Sequence, residues 1–312
     1  MAGVVTTVIA DALKTQALTG VVDTTFRNDM TLGRFPQIPD TGGVTINVKV
    51  AYGSNTSVGR YNEGDAAGTP GAQSYATAQW PFTYYKCVVQ FTGHARDQLN
   101  NGSPQAAFFN QLAREFEYGM KDIIDLASTD ALGTGLTSPI GIQGIADSAG
   151  TIAGLSRSTF TWWQSYETTY STTVTLADLD ASDRFSRDRS YGSKYDQVWA
   201  APKQIQKLRG AIGLAGQSNN SIRIMSSNGG IDLAGNTSGV TYAGRPVVET
   251  VDLTDSVLIG IQSSDLFSSY RRQMQVDLLG KTDDSDKYLI TMAIGIGAYQ
   301  CKHFWKNTGY TA

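Results

Sequence analysis

The sequence predicts an α+β fold, and three observations carry that prediction. Ser103 to Gly133 holds one unbroken helical spacing of apolar residues. Two runs with strand alternation, Val44 to Tyr52 and Tyr75 to Phe91, flank a glycine-rich tip. The C-terminal stretch from Val257 onward is again β-patterned between polar breaks.

Residues 1 to 40 are weakly patterned. A short amphipathic turn is expected around Val8, Ile9 and Leu13, and Pro36 and Pro39 then break any helix. The segment reads as an arm. Next, Val44, Ile46, Val48, Val50 and Tyr52 alternate with Thr45, Asn47, Lys49 and Ala51, which is a strand. From Gly53 to Ser74 the apolar content collapses. Gly53, Gly59, Gly64, Gly68, Gly71 and Pro70 dominate, beside Glu63 and Asp65. A second β-patterned run, YATAQWPFTYYKCVVQF, follows from Tyr75, and Pro81 inside it marks an edge or a bulge. Strand, tip and strand make a long antiparallel hairpin. A two-stranded ribbon is marginal in water by itself, and its edges are open to other chains. So long a loop also argues against a compact domain. The ribbon is therefore expected to lie on another copy of the chain, with Tyr52, Tyr75 and Trp80 as anchors.

The helix follows. Ser103 is a good N-cap and Pro104 suits the first helical position. Phe109, Leu112, Ala113, Phe116, Met120, Ile123, Ile124, Ala127 and Ala131 form one apolar stripe, and Gly133 ends it. At about 1.5 Å per residue the rod is roughly 45 Å long. Gly119 in its interior costs about 1 kcal/mol relative to Ala, so a bend or a close contact is expected there.

TGLTSPIGIQGI is a turn-rich link, and the segment after it carries the pair Trp162-Trp163. Leu176 onward has helical spacing, Tyr195 to Ala200 is a short buried strand, and Pro202 opens a second helix with Ile205, Leu208 and Ile212 on one face. Ser218 to Thr241 is a loop with one short strand, Ile222 to Met225. Val257 to Ile261 is an apolar strand. Arg271 to Leu279 alternates, with Met274, Val276 and Leu278 on one face, and Lys281 to Lys287 is a polar turn. Tyr288 to Tyr299 is apolar, and Phe304 and Trp305 close the chain.

Composition bounds the function. Charged residues are 17%, against about 25% in an average soluble protein, and Tyr is high at 15. That suits a chain whose surface is covered by partners. A net charge of −3 shows no basic footprint, which counts against tight sequence-specific nucleic-acid binding. Cys87 and Cys301 fit neither a disulfide framework nor a metal spacing. No run of about 18 apolar residues is present, and MAGVVTTVIADALK lacks the pattern of a signal peptide.

No catalytic, cofactor or metal site is read from the residues. His94 and His303 alone do not build a zinc site. Gly280-Lys281-Thr282 ends like a phosphate loop, but Gln275 stands where that motif needs glycine. Asp283, Asp284 and Asp286 lack the glycine and final Glu of a calcium loop. Asn55, Asn101, Asn219 and Asn236 start glycosylation-type triplets, without a secretion signal to give them meaning.

The order of these pieces resembles the tailed-bacteriophage major capsid protein of the Hong Kong 97 type. The resemblance runs from about residue 40. It rests on the Glu63-Gly64 hairpin tip, the rod helix, and the LGTGLTSPIGIQGI link with Gly133, Gly135 and Pro139-Ile140-Gly141. GTIAGLSRSTFTWW resembles a stretch found after that link in some such coats, and YAGRPVV, VLIGI and the closing strands sit where that family has them.

The resemblance implies an N-terminal arm (1–40), an E-loop hairpin (41–92), a P-domain (93–174 and 263–312) with its spine helix (103–133), and an A-domain (175–262). It implies a structural role and no enzymatic one. Copies would assemble through hexamers and pentamers into an icosahedral head around non-specifically held double-stranded DNA, in the bacterial host cytoplasm. Scaffolding is expected to be either a separate protein or a removed prosegment, with Met1 favouring the former, and a portal is implied as a further partner. No cofactor and no membrane are expected. Arg60, Glu63, Arg271 and Arg272 are candidate charged contacts between copies, each pair contributing about 0–1 kcal/mol if exposed. Gly53 to Tyr85 contains no lysine, so the loop crosslink known in some relatives is not expected. Two alternatives stay open: an encapsulin-like compartment shell of the same fold, and a β-rich secreted binding protein.

Overall fold

A computed structural model of the chain describes residues 31–40, 42–60, 62–63, 68–93, 105–189, 195–214, 222–224, 237–242, 245–279 and 284–311. The arm up to residue 30, the Ser103-Pro104 cap, Gly64, Asp65, His94, Asn101, Asn219, Asn236, Ala243-Gly244 and the 280–283 turn lie outside the described residues.

In chain order the strands are β1 (Thr45–Gly53), β2 (Ser74–Pro81), β3 (Thr83–Thr92), β4 (Thr151–Ile152), β5 (Leu155–Ser156), β6 (Tyr166–Thr169), β7 (Gln197–Ala200) and β8 (Ile222–Ile224). They continue as β9 (Thr237–Tyr242), β10 (Arg245–Glu249), β11 (Leu258–Ile261), β12 (Leu266–Leu279), β13 (Ser285–Ala298) and β14 (Trp305–Thr308). The helices are α1 (Gln105–Ala131), α2 (Ile142–Ile145), α3 (Leu176–Arg189) and α4 (Pro202–Leu214). The chain divides into two compact units. Tyr84–Ala127 and Arg271–Ala293 belong to the first; Met30–Thr83, Ser128–Tyr270 and Ile294–Ala312 make the second.

The first unit is α1 on a three-stranded sheet of order β12-β13-β3. The helix forms where the apolar spacing predicts it. At its end the Gly133 N–H bonds to Asp130 O at 3.0 Å. The Gly119 expectation resolves as a close contact: a Cβ there would sit 2.9 Å from Ile290 Cδ1 and 3.2 Å from Cys87 Sγ. Phe116 meets Tyr288 edge to face at 5.0 Å. Ile123 and Ala127 are buried, but Ile124 is not; it stands about 100° round the helix from Ile123 and faces solvent. Gly119→Val is expected to lower stability by about 1–3 kcal/mol through overpacking, read by calorimetry. An unchanged melting curve would show that α1 and the strands are not in register at Gly119.

The second unit is built on a seven-stranded mixed sheet of order β6-β14-β11-β7-β10-β9-β8. β7 and β11 are short apolar runs because they lie inside it; all four residues of β11 are buried. Val198, Ile205, Leu208, Val247, Leu258 and Trp305 share its main core. Gly260 lets the Trp305 indole lie on β11, since a Cβ there would be 1.9 Å from its Nε1. β14 pairs antiparallel with β11 and parallel with β6. Trp305 fills that core, and Lys306, itself buried, is neutralised by Glu167 at 2.9 Å and Asp147 at 3.4 Å.

The glycines of the 133–144 link have a packing reason. A Cβ on Gly141 would lie 2.1 Å from Gly133 O, and one on Gly144 would lie 2.3 Å from Gly135 O, so two backbone passes touch. Arg157, wholly buried, stitches this link together by donating to the carbonyls of Gly144, Ile145 and Ala149 at 2.7–3.0 Å.

Asp183 on α3 is buried and takes hydrogen bonds from Arg245 and Arg187; the Arg245 guanidinium also lies 4.0 Å over the Tyr195 ring. Burial alone would raise the Asp183 pKa, but the bonds and charges of the two arginines outweigh it and hold the carboxyl below its usual range. A carboxyl depressed on folding stabilises the fold above its unfolded pKa of about 3.9, and that stability is lost as pH falls through the lower folded value. Arg245→Met should therefore lower Tm most at neutral pH, with the gap to the parent chain narrowing below about pH 4. A gap that stays constant with pH would remove the ion pair from the account.

Candidate intersubunit surface

β1 and β2 pair antiparallel from Thr45↔Pro81 to Ala51↔Tyr75. The inner face of this ribbon, Ile46, Val48, Val50, Ala76, Ala78 and Trp80, is the covered one, and Asn47, Lys49, Thr77 and Gln79 are exposed. The expected second strand from Tyr75 to Phe91 is in fact two strands. Pro81 has no N–H to continue the β1 ladder, and after Phe82 the chain enters the other sheet as β3.

The predicted contact residues separate into three groups. Trp80 is a correction: it is fully buried within its own chain, against Trp163 at 6.3 Å, Phe267 edge-on at 6.2 Å, and the Gly297 backbone. It is not free to anchor on a neighbour. Tyr52 is 45% exposed and stacks flat on Trp162, centroids 4.9 Å apart. The structure thus joins Tyr52 to Trp80 through Trp162 and Trp163, whose rings meet at 5.8 Å. Tyr75 (62% exposed), Arg60 and Glu63 face solvent near the tip. Arg271 and Arg272 belong to the first unit; both are exposed on β12, with Arg272 3.5 Å from Thr291 Oγ1.

The tip has some order of its own. Asn55 Oδ1 accepts from the Ser57 N–H at 2.9 Å, an Asx turn, and Gly71 comes so close that a Cβ would lie 2.3 Å from that oxygen. Residues 54 to 60 are all exposed. Beside the ribbon lies an open pocket of about 400 Å³ lined by Val50, Tyr52, Gln73, Trp162, Gln300 and Lys302 among others. It holds no carboxylate or histidine to act as acid or base. Among the described residues no three His, Cys, Asp or Glu cluster as metal ligands, and no helix is long and apolar enough to cross a membrane.

A second surface was missed in the sequence. In the first unit, Tyr85, Val89 and Phe91 are the buried side of β3, while Tyr84 (65% exposed) and Val88 (53%) point the other way. Arg272 bonds Thr291, whose neighbours Tyr288 and Ile290 alternate toward α1. Val276 and Leu278 share the Arg272 side of β12, so they also face away from the helix, and both are exposed. The available signal was the YYKCVVQF run, in which Tyr84 and Val88 interrupt the polar face marked by Lys86 and Gln90.

No protein-family model matches the chain, and no curated protein is similar enough to match it. Solved structures do share its fold. One is a chain of the cyanophage A-1(L) capsid asymmetric unit, 15% identical, with TM-score 0.71 over 96% of this chain and 97% of that one. Another is a chain of the capsid of Myoviridae Phage XM1, 10% identical, with TM-score 0.60 over 96% and 98%. A third comes from the capsid of a native GTA particle, 12% identical, with TM-score 0.59 over 95% and 94%. The chain therefore has the α+β fold of these capsid chains over nearly its whole length.

Proposed function

We propose that the chain is a structural coat protein of a tailed-phage head. Copies assemble through hexamers and pentamers into an icosahedral shell that encloses double-stranded DNA. The observation that carries this reading is the fold likeness to capsid chains over nearly the whole length of both partners. Two features of the chain itself support it. The sheet of the first unit leaves apolar side chains bare on one face, and the ribbon runs into residues 54 to 60, all of them exposed. Apolar patches of this kind mark interaction surfaces, and obligate interfaces commonly bury about 2,000 Å² or more.

On this reading residues 1–40 are the arm and the hairpin within 41–92 is the E-loop. The segments 93–174 and 263–312 give the P-domain with its spine helix, and 175–262 gives the A-domain. The contact residues on offer are Tyr75, Arg60, Glu63, Arg271 and Arg272, with Tyr84, Val88, Val276 and Leu278 added. The work of the protein is mechanical, not enzymatic. Its partners are further copies, a separate scaffolding protein, a portal and the packaged DNA; its place is the virion, after assembly in the host cytoplasm.

Cryo-electron microscopy of the purified chain tests this directly. Capsomers or closed shells are expected. A strictly monomeric particle at tens of micromolar, with or without scaffolding protein, would overturn the reading.

A further inference from the structure

We propose that Trp162 is a positioning residue: by stacking on Tyr52 it holds the β1–β2 ribbon in one stance before a second copy meets the tip. The stance is a property of this chain; its use in assembly rests on the coat-protein reading above.

The ribbon is fixed at one end by its own chain. Trp80 is buried, Ile46 and Phe82 close over Gly295, and the Gln79 N–H donates to Ala153 O at 2.8 Å. The other end has a different device. Ala51 pairs with Tyr75 and Gly53 with Ser74, so two steps of β1 span one step of β2, and Tyr52 is the extra residue. Such a bulge bends a strand and re-aims a side chain. Here it lays the Tyr52 ring on Trp162 with the planes 1° apart, and Phe160 lies edge-on to both rings at 6.4 and 5.5 Å.

Trp162 is itself held. It sits in the short 3₁₀ turn Thr161–Trp163, whose last residue is buried against Trp80. The order of fixing is then Trp80, Trp163, Trp162, Tyr52, and from Tyr52 the bulge that carries residues 54 onward. The stack is reversible by construction. Tyr52 keeps 45% of its surface exposed and borders the open pocket of about 400 Å³, which leaves the ring room to depart. A stacked aromatic pair shifts such an equilibrium by roughly two- to tenfold. Holding a binding element in its bound stance lowers the cost of association by the same route.

Hydrogen exchange of the unassembled subunit reads the stance, and light scattering reads assembly. Trp162→Leu is expected to speed amide exchange in 45–53 and 74–79 by roughly two- to tenfold, and to slow assembly by a comparable factor. Tyr52→Leu, on the exposed ribbon, should do the same and keeps the test alive if Trp162→Leu disturbs Trp163. The double variant should be no worse than either single one, because both remove one contact. Trp162→Phe, which keeps a ring to stack on, should restore the slow exchange. Unchanged exchange in both Leu variants, or effects that multiply in the double variant, would overturn the proposal. Failure of the coat-protein reading looks different: the parent chain would not assemble, while the exchange comparison would stand.

Discussion

A chain in which Ser54–Gln73 is replaced by a two-residue Asn-Gly turn should fold with an undiminished melting temperature and form no shells. The fold half of this expectation follows from the bulge end of the ribbon. Gly53 and Ser74 face one another so closely that a Cβ on Gly53 would lie 3.0 Å from Ser74 Cβ. A two-residue turn suits such a gap, and Asn-Gly supplies the positive φ angles that hairpin turns of this length require. Residues 54 to 60 are exposed, so their removal uncovers no core. Shortening the loop tenfold removes about 2 kcal/mol of closure entropy, which offsets small losses at the new turn. The assembly half follows from the proposed role of the tip, which carries Arg60 and Glu63, both exposed. Calorimetry and electron microscopy on the same preparation decide it. Normal shells from the shortened chain would remove the tip from the assembly surface. A collapsed melting curve would mean that the tip is part of the fold.

Local pattern was enough to find the elements, and it failed where partners are distant in sequence. The stripe from Phe116 to Ala127 gave α1, and Gly133 marked its end. Yet the same spacing rule placed Ile124 in the stripe, because periodicity fixes an angle on the helix and not the width of the groove that receives it. The alternation of Val44 to Tyr52 gave β1 and grouped Ile46, Val48 and Val50 on its inner face, but Val44 lies outside the strand at 85% exposure and Tyr52 is the bulge residue. Another copy was the expected partner of that face, and for Trp80 the answer is instead the chain's own Trp163, Phe267 and Gly297. Lys306 and Glu167 are facing residues on parallel strands, a pairing no local window contains. Arg157 was invisible as a structural centre for another reason. Its acceptors are backbone carbonyls, which every residue has. The exposure of Tyr52, Tyr75, Arg60 and Glu63 was legible because a glycine-rich stretch between alternating strands signals a solvent-facing hairpin end. That of Tyr84 and Val88 was not, because an apolar residue on a strand reads as core until the second face is seen to be bare.

Trp80→Ala should destabilise the isolated subunit by about 3–5 kcal/mol, the cost of removing a large aromatic side chain from a packed interior. For a chain of this size that is a drop in Tm of roughly 5–8 °C. The site has little means to close over the void. Phe267 stands edge-on to the indole, Trp163 is held by its own turn, and Gly297 brings backbone, not a side chain, to the remaining wall. Trp80 Nε1 is buried without a hydrogen-bond partner, so the loss is one of packing and not of a polar contact. Trp80→Phe should therefore recover most of the stability. The experiment also separates the two roles this residue was given. A core residue lowers the melting temperature of the unassembled subunit. An anchor on a neighbouring copy would leave that temperature alone and abolish assembly only, and a Trp80→Ala subunit that melts with its parent would move the ribbon root off its own body and back onto a second copy.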